Sequence, residues 1–349
     1  MQQNHPLVSI NLLSYNAQEY INGCLNSVFN QTYPHLEILI IDNASTDKTR
    51  DYLKKLPKRP NLKIIFNSEN VGFAAGHNQA IKRSRGEFIL CLNQDVILDK
   101  DFVYRTIELF KKNDRLAAVQ GKLLRWNTSN PTLRSFTDYE VSYIIDTVGL
   151  KILKNRRVIN RGQGKVDQDG FKKVEEIFGA DGAAPVYRRK ALEDVKIFLA
   201  GKSEYFDEDF FCYKEDVDLA WRLQLYRWKA MYQPKALAWH ARTAGDSAET
   251  GYLNIIKERS KISKFAKYFA FKNQRLMQFK NEQPLLIIKH SLWFLPKEMA
   301  SWAYVIIFER YTLKAIKDLF KQMPSAWRKR KIVMSGKRAS SSEMNRWFK

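Results

Sequence analysis

The first 120 residues alternate short apolar runs with amphipathic segments, and this alternation constrains the fold more than any other feature. Short apolar runs predict buried strands, whereas apolar residues that recur on one face of a 3.6-residue period predict helices. The predicted strands are 7–13, 36–41, 62–66, 87–92 and 116–121, and the predicted helices are 17–29, 47–56, 74–84 and 101–112. Such an order predicts parallel βαβ units, and therefore an α/β fold with a doubly wound, mostly parallel sheet.

Polar residues follow each of the first four predicted strands. Ligands of open α/β sheets bind outside the carboxyl ends of the strands, so these residues are candidates for a binding site. They are Ser14, Tyr15 and Asn16, then Asp42 and Asn43, then Gly72, Gly76 and Asn78, and finally Asn93, Gln94 and Asp95. Helix capping explains one or two of them, but not a polar cluster at every successive strand end. The glycine pair alone is only a weak signal for a phosphate-binding loop.

The fourth cluster is the most specific one, because an apolar run over 88–92 ends directly in Asn93-Gln94-Asp95. A carboxylate at the end of a buried strand is well placed to act as a metal ligand or a base. A simple Asx turn is the alternative. The choice between a functional carboxylate and a simple turn depends on whether the second half of the chain contains residues that could act with Asp95.

The second half supplies a dense group of carboxylates interleaved with aromatic residues over 205–222. A helix predicted over 214–226 places Glu215 and Asp216 in its first turn, where the helix dipole favours negative charge. Asp218 and Arg222 would form an i,i+4 pair on this helix. A well-capped acidic helix start is the alternative, but carboxylates among apolar neighbours are costly without a partner or a task.

Two further stretches are less decisive. Residues 125–175 contain a predicted turn at 127–131 and two glycine-containing loops, which fit either a substrate lid or a surface excursion without function. His240 ends an apolar run at 236–240. A lone histidine is more often structural, and His240 becomes a candidate only as a companion of Asp95.

The net charge of +22 is concentrated near the end of the chain. Residues 251–349 hold 22 Lys and Arg against 6 Asp and Glu, or +16, which leaves +6 for the first 250 residues. A basic end on a nearly neutral body predicts contact with an anionic surface, either membrane or nucleic acid.

Apolar and aromatic segments within 251–349 are interrupted by Lys and Arg before they reach the roughly 18–20 residues of a spanning helix. Pro284, Pro296 and Pro324 are expected to divide the region into helices of about ten to fifteen residues. These helices lie either in a membrane interface or against the main domain, and both arrangements stay open. Residues 328–342 are expected to form a solvated basic tail.

The three cysteines are far apart and form no pair of redox or metal type. Free thiols fit a reducing compartment. The first residues lack the charged and apolar pattern of a signal peptide, so a cytoplasmic location is expected.

Taken together, the motifs resemble those of the bacterial family 2 glycosyltransferases with the GT-A fold, especially the rhamnosyltransferase-like group that acts on lipid-linked saccharides. The resemblance is carried by residues 8–16, 41–47, 70–78, 92–95, 205–208, 213–222 and 239–240. It implies a Rossmann-like GT-A catalytic domain over 1–250. Residues 251–349 would then be a basic, aromatic-rich helical region and tail that associates with a membrane.

The resemblance also implies a role for each candidate residue. Asp95 and His240 would hold Mn²⁺ or Mg²⁺, and Asp216, with Glu215 beside it, would be the catalytic base. The residues expected to bind the nucleotide and its sugar-phosphate are Ser14, Tyr15, Asn16, Asp42, Asn43, Gly72, Gly76, Asn78, Asn93 and Gln94, and those expected to bind the acceptor are Asp181, Gly182, Trp221 and Arg222. A divalent cation neutralises the charge of a departing diphosphate, and a carboxylate takes the proton of the attacking hydroxyl.

The implied reaction is an inverting, metal-dependent transfer of a sugar such as rhamnose from a nucleotide-diphosphate donor. The acceptor would be a polyprenyl-linked saccharide in cell-surface polysaccharide synthesis. The enzyme would lie on the inner face of the cytoplasmic membrane and would bind no nucleic acid.

Two positions depart from the family pattern. Asn93 stands where the family has the first acid of its Asp-x-Asp motif, which leaves Asp95 and His240 as the expected metal ligands. Residues 179–185 are more polar than the matching family segment. A nucleotidyltransferase and a basic nucleic-acid-binding protein are the alternative functions. A nucleotidyltransferase usually has a Gly-rich and basic loop after its first strand, which residues 14–17 of this chain do not supply. A nucleic-acid-binding protein does not explain the ordered carboxylates.

Overall fold

A mixed β-sheet forms the centre of the computed structural model, which describes residues 5–126, 141–242 and 252–349. The strands are β1 Val8–Ser14, β2 Leu36–Asp42, β3 Leu62–Phe66, β4 Phe88–Asn93, β5 Val96–Leu98, β6 Leu116–Trp126, β7 Val141–Thr147, β8 Leu150–Ile152, β9 Val158–Asn160, β10 Glu175–Ile177, β11 Val186–Arg188, β12 Ile197–Leu199, β13 Lys202–Glu204 and β14 Lys229–His240. The helices are α1 Ile21–Phe29, α2 Thr49–Lys54, α3 Gly72–Arg83, α4 Phe102–Phe110, α5 Arg189–Val195, α6 Glu215–Leu225, α7 Tyr252–Lys261, α8 Lys264–Asn281, α9 Pro284–Lys289, α10 Ser291–Phe308, α11 Leu313–Ser335 and α12 Ser341–Asn345.

The main sheet has the strand order β10-β14-β6-β11-β4-β1-β2-β3 among the described residues. Strand β1 runs parallel to β2 and β4, β2 runs parallel to β3, and β6 runs parallel to β14. Strand β11 lies antiparallel between β4 and β6, so the segment that enters β11 lies at the carboxyl end of β4, where the Asn93 N–H donates to the Ala183 carbonyl at 2.9 Å. The prediction of a doubly wound, mostly parallel sheet with a helical C-terminal region is confirmed.

Both faces of this sheet are buried, as the unbroken apolar character of β4 predicts. Leu90 and Leu92 face a core built with α1 and α4, whereas Ile89 and Cys91 face a second core built with α3, α5 and α6. All four side chains are fully buried. This packing fixes where β4 ends within the sheet, and hence the position of the polar residues that follow it.

The second half of the chain contains more strand than the sequence indicates. Strand β14 continues to His240 through Pro234, and its pairing with β6 shifts register between Gln233 and Leu237. A proline has no N–H for the ladder, which accounts for the irregularity. Residues 141–177 form β7, the β8–β9 hairpin and β10, while the predicted turn at 127–131 lies outside the described residues.

Part of the C-terminal region packs on the sheet domain. Leu276 and Met277 of α8 and Val333 of α11 belong to the same core as α6. The predicted solvated tail is wrong, since α11 continues to Ser335 and the last residue, Lys349, donates a backbone hydrogen bond to Ile152 at 3.1 Å. Apolar contacts and buried ion pairs hold this segment, and its charge content alone did not reveal them.

The prolines of this region act differently from expectation. Pro284 begins α9, as a proline in a first helical turn can. Pro296 and Pro324 lie inside α10 and α11, which are 18 and 23 residues long. Packing against neighbouring helices therefore overrides the tendency of these two prolines to end a helix.

Helices α9, α10 and α11 leave an unusually large set of apolar side chains in solvent. We call this set the apolar face: Leu285, Ile288, Leu292, Trp293, Leu295, Met299, Ile306, Ile307, Phe308, Leu313 and Phe320, which are 43–81% exposed. No helix within the described ranges is long and apolar enough to cross a bilayer. Contiguous exposed apolar surface of this kind normally marks a contact with a partner or a membrane.

Candidate active site

Asp95 and His240 meet at one edge of the sheet, although 145 positions separate them in the sequence. Strand β5 pairs with the end of β14, and this pairing sets Val96 opposite His240. The Asp95 Oδ2 and His240 Nε2 atoms are 3.4 Å apart, and both residues are buried. The sequence-based pairing of these two residues therefore agrees with their placement.

A second carboxylate, Asp146 of β7, supports the histidine from its other side. His240 Nδ1 donates to Asp146 Oδ2 at 2.8 Å. Burial alone would lower the pKa of His240, but the two carboxylates outweigh it and raise that pKa to about 10. Burial likewise opposes ionisation of Asp95 and Asp146, yet the positive charge of His240 leaves the pKa of each below its usual value.

The side chains of Asp95 and His240 offer ligand atoms that fit a divalent cation of the Mg²⁺ or Mn²⁺ type. Asp95 offers a hard oxygen ligand, and a histidine held by a carboxylate is the usual form of a metal-binding histidine. No group of three His, Cys, Asp or Glu side chains suited to a metal occurs in the ranges that the structure covers. Mg²⁺ sites normally combine one or two protein carboxylates with substrate phosphates, so two protein ligands suffice. Metal binding would require His240 to release its proton.

A chain of charged contacts connects this corner to a second group of carboxylates. Arg242 Nε donates to Asp146 Oδ1 at 2.5 Å, and Arg242 Nη2 lies 3.6 Å from Asp181 Oδ2. The Asn160 amide, in the orientation that satisfies its neighbours, donates to Asp181 at 3.1 Å and accepts from Arg242 at 2.6 Å. The two groups of acids are therefore parts of one site.

Asp216 is the carboxylate at the far end of this chain. It lies in the first turn of α6, where its Oδ2 accepts a hydrogen bond from the Gly182 backbone N–H at 3.1 Å. Burial and the negative charge of Asp181 raise the pKa of Asp216 to about 6, against a smaller opposing effect of Lys214. The Asp216 side chain keeps some solvent exposure. An accessible carboxylate with this pKa can accept a proton at neutral pH.

Its neighbour Glu215 has different properties. Glu215 is 5% exposed, and its Oε2 atom has no hydrogen-bond partner among the described residues. Burial, reinforced by the charge of Asp216, raises the pKa of Glu215 well above its usual value. Burial therefore favours the protonated form of Glu215, and Asp216 is the better suited of the two predicted catalytic acids to act as a base.

Three residues expected to bind the donor form an accessible rim beside Asp95. Tyr15 and Asn16 are exposed, and Gln94 is half-buried. The Gln94 amide accepts from the Tyr15 N–H at 2.6 Å and donates to the Tyr15 carbonyl at 3.0 Å. Gln94 thereby fixes the loop after β1, leaving the Tyr15 ring, 43% exposed, available for a planar ligand. Asn93, also half-buried, ends β4 at the same edge.

Ser14, Asp42 and Asn43 are buried behind this rim and bond to protein groups. Asp42 forms an ion pair with Arg50 at 2.9 Å and accepts a hydrogen bond from the Ser45 N–H at 3.2 Å. Asn43 donates to Asn70 at 2.7 Å and accepts from the Val71 N–H at 3.1 Å. In this structure these side chains organise the loops after β1, β2 and β3, and their predicted contact with a nucleotide stays a prediction.

The loop at the start of α3 packs against the acidic segment. Gly72 has φ +84°, and a Cβ there would lie 2.5 Å from the Phe211 ring, so a larger residue does not fit. A Cβ at Gly76 would lie 2.5 Å from Leu13. Asn78 is fully buried and accepts from the Phe206 N–H at 2.9 Å. These positions hold the acidic segment near β1, and their predicted role toward the sugar-phosphate stays a prediction.

The four residues expected to bind the acceptor divide into two pairs. Asp181 and Gly182 lie beside Asp216, where the prediction puts the acceptor. Trp221 and Arg222 are 1% and 0% exposed. The Arg222 guanidinium donates to Asp218 at 2.9 Å, as the sequence predicts, and also to the Val195 carbonyl at 2.7 Å. Since neither side chain reaches the surface of the site, their predicted contact with the acceptor finds no support in the geometry.

Three residues of the site were not singled out from the sequence: Asp146, Asn160 and Arg242. Asp146 lies in the region that was least informative, yet it follows Ile144-Ile145 directly, and a lone acid in an apolar strand was an available signal. Arg242 follows His240 by two positions. No sequence pattern shows that Asn160 would lie between Asp181 and Arg242.

Comparison with known proteins adds an independent line of evidence. A family model described as glycosyl transferase family 2 matches residues 9–196, which is more than half of the chain. The poly-beta-1,6-N-acetyl-D-glucosamine synthase of Staphylococcus epidermidis is 29% identical over 236 residues, covering 66% of this chain and 49% of that protein. The synthase of the same name from Staphylococcus aureus strain COL is 27% identical over 232 residues, covering 65% and 48%. The chain spans about half the length of the curated relatives it matches.

Among solved structures, GalNAc-T7 with UDP, GalNAc and Mn²⁺ matches with a TM-score of 0.55 and 14% sequence identity. The match covers 87% of this chain and 58% of that one. At this level of identity the likeness shows the fold alone.

Proposed function

The chain belongs to glycosyl transferase family 2, and we propose that it transfers a single sugar from a nucleotide-diphosphate donor to a saccharide acceptor with inversion at the anomeric carbon. The sequence-based assignment to this family and to the GT-A fold is confirmed. Its rhamnosyltransferase-like subgroup stays a prediction. The observation that carries the proposal is the arrangement of Asp95, His240 and Asp216 at one sheet edge. Charged contacts run from His240 through Asp146 and Arg242 to Asp181, and the backbone N–H of the next residue, Gly182, donates to Asp216.

The chemistry of the proposal assigns one task to each end of this chain of contacts. The hydroxyl oxygen of the acceptor bonds to the anomeric carbon while the bond from that carbon to the diphosphate oxygen breaks. Asp216 accepts the proton of the hydroxyl, and the diphosphate leaves on the opposite side. Asp95 and His240 would hold Mn²⁺ or Mg²⁺, which supplies positive charge for the leaving diphosphate. The Tyr15 ring and the loop after β1, which Gln94 holds in place, bind the nucleotide end of the donor.

The donor is best identified with a panel of nucleotide sugars in the presence of Mn²⁺. We expect one donor to raise the melting temperature of the protein and to release its nucleoside diphosphate. The panel starts with dTDP-rhamnose, for the predicted subgroup, and UDP-N-acetylglucosamine, because the curated relatives are named as N-acetylglucosamine polymer synthases. If no nucleotide sugar is bound or turned over, the proposed function is wrong.

Metal dependence gives a prediction with a direct readout. We expect EDTA to abolish turnover and Mn²⁺ to restore it, and we expect Asp95→Ala to lower turnover by about 10² or more, since a metal supplies several kcal/mol of charge stabilisation. Asp51→Ala removes an exposed carboxylate from α2 and is the matched control. Turnover that is insensitive to EDTA would contradict the proposed need for a metal.

The acceptor is proposed to be a polyprenyl-linked saccharide in cell-surface polysaccharide synthesis, reached at the inner face of the cytoplasmic membrane. The apolar face supports this proposal. Exposed cations flank it, namely Lys289, Arg310, Lys314, Lys317 and Lys321. Apolar side chains bordered by lysine and arginine are typical of helices that lie in the interface of an anionic bilayer.

Vesicle binding tests the membrane contact. We expect the protein to bind vesicles of phosphatidylglycerol and phosphatidylcholine, and the double variant Leu292→Glu, Met299→Glu to bind at least about tenfold more weakly, because it loses apolar burial and gains repulsion. Phe198→Glu is the matched control, since Phe198 is 59% exposed on β12, outside the apolar face. Equal binding by the double variant and the wild type would contradict the assignment of this face.

A further inference from the structure

A cavity of about 570 Å³ lies among helices α8, α9, α10 and α11, outside the site described above. Its walls are mainly apolar and include Phe279, Ile287, Phe294, Trp302, Leu319 and Met323. Its volume falls within the ~300–1,000 Å³ range of small-molecule sites. The cavity therefore has room for a hydrocarbon chain of substantial length.

Two hydrogen-bond donors in the cavity wall lack acceptors. Arg275 and Gln278 are 9% and 6% exposed, and neither Arg275 Nε nor Gln278 Nε2 has a hydrogen-bond partner among the described residues. A buried donor without an acceptor is costly, and such groups in native proteins often mark a ligand site. Because both atoms belong to N–H donors, a ligand with oxygen acceptors would satisfy them.

The charges around the cavity favour an anionic acceptor. Arg275 and Arg330 line it together with Glu282 and Glu298. Glu282 pairs with Arg156 at 2.7 Å, and Glu298 pairs both with Lys297 at 2.5 Å and with Arg275 at 2.9 Å. The two carboxylates and the four cations leave a net charge of +2. An oxygen-bearing anion such as a phosphate matches both this charge and the free donors.

The cavity opens on the apolar face. Phe320 both lines the cavity and is 64% exposed, and Ile287, half-buried in the wall, lies next to Ile288 in the face. A lipid in the membrane interface can therefore enter the cavity with its hydrocarbon chain first.

The same helices contact the catalytic segment. Asn273 of α8 donates to the backbone carbonyls of Phe210, Cys212 and Tyr213, at 2.9, 2.8 and 2.8 Å. This segment leads directly into Asp216. Helix α8 thus connects the wall of the cavity to the base that the proposed reaction uses.

We propose that this cavity binds the hydrocarbon chain of a phosphate-bearing lipid, with Arg275 and Gln278 donating to its phosphate oxygens. The inference rests on the proposed function in naming the lipid carrier of the acceptor as the occupant. A membrane phospholipid shares the same chemistry and is the second source.

Binding is tested on the full-length chain by titration with three probes kept below their critical micelle concentrations. Geranylgeranyl phosphate and lyso-phosphatidylglycerol carry a chain and a phosphate, whereas geranylgeraniol carries the chain alone. We expect saturable one-to-one binding of a phosphate-bearing probe, and binding of geranylgeraniol at least about tenfold weaker, since it lacks the acceptor for the two free donors. Preference for the isoprenoid phosphate identifies the acceptor carrier, and preference for the lysolipid identifies a phospholipid.

Two variants and one control make the test specific to the cavity. Ile287→Trp narrows the mouth and Gln278→Leu removes one donor, and each is expected to weaken binding at least about tenfold. Ile256→Trp adds the same bulk on α7, where Ile256 is 45% exposed and lies outside the apolar face, and it is expected to bind as the wild type does. Absence of saturable binding, or wild-type affinity in both cavity variants, would overturn the proposal. Because no nucleotide sugar is present, this result is independent of turnover, so failure of the cavity and failure of the proposed function are distinguishable.

Discussion

Replacing Asp216 with asparagine is expected to lower the turnover number for sugar transfer by about 10²–10⁴, the usual contribution of a general base. The asparagine side chain has the same shape, and its oxygen can still accept from the Gly182 N–H. It cannot accept the proton of a hydroxyl. We therefore expect the melting temperature and the binding of the donor to stay close to wild type while transfer is lost.

Glu215→Gln is the matched control for this variant, since the two acids are adjacent in the first turn of α6. Burial favours the protonated form of Glu215, which glutamine closely replaces. We expect transfer to fall by less than about tenfold, because Asp216, the assigned base, is kept. Comparable losses in both variants, or full activity in Asp216→Asn, would contradict the assignment of Asp216 as the base.

Replacing Lys329 with methionine is expected to lower the free energy of unfolding by about 3–5 kcal/mol, the usual effect of removing one partner from a buried ionic group. Lys329 of α11 is 2% exposed and lies 2.8 Å from Glu204 and 2.9 Å from Asp209, and it also contacts Asp207. Lys280 of α8 contacts the other side of Asp207. The variant would leave the buried Asp207 and the half-buried Glu204 and Asp209 beside one another without this cation. Urea unfolding followed by tryptophan fluorescence measures the loss.

Lys321→Met is the matched control, because Lys321 lies on the same helix but is exposed, and we expect it to change stability by less than about 0.5 kcal/mol.

The stability lost in Lys329→Met is also expected to depend on pH. Loss of the cation raises the folded-state pKa of the neighbouring carboxyls, so protonation at lower pH relieves the folded variant. The difference in stability between Lys329→Met and wild type should therefore shrink as the pH falls through these raised carboxyl pKa values toward the pKa of Asp207 in the wild type, which Lys280 and Lys329 lower despite burial. Equal stability of the two lysine variants would show that the buried ionic group does not hold α11 in place.

The sheet could be predicted from the sequence because its signal is local. Each strand of the first half is a short apolar run, and the alternation of Ile89, Leu90, Cys91 and Leu92 between two cores follows from burial on both faces. The antiparallel position of β11 could not be predicted, since a three-residue strand carries too little pattern. The docking of α11 was missed because Lys329 resembles any residue of a basic run until its three carboxylate neighbours are known.

The candidate site was predictable where a strand or a helix start fixes a carboxylate. Asp95 and Asp216 are of this kind. The placement of Trp221 and Arg222 inside the core depends on how α6 packs, which no local pattern records. Asp146 joins the site only because β7 pairs with β6, and pairing between distant segments is a tertiary property.

The most direct test of the account is the pH dependence of the transfer rate in the wild type and in Asp216→Asn. The pKa of Asp216, raised to about 6 by burial and by Asp181, predicts that the wild-type rate falls as the pH drops through 6, because a protonated carboxyl cannot accept the proton of the acceptor. The residual rate of Asp216→Asn should lack this fall. A wild-type rate that is flat between pH 5 and 7, or the same fall in the variant, would contradict the central role given to Asp216.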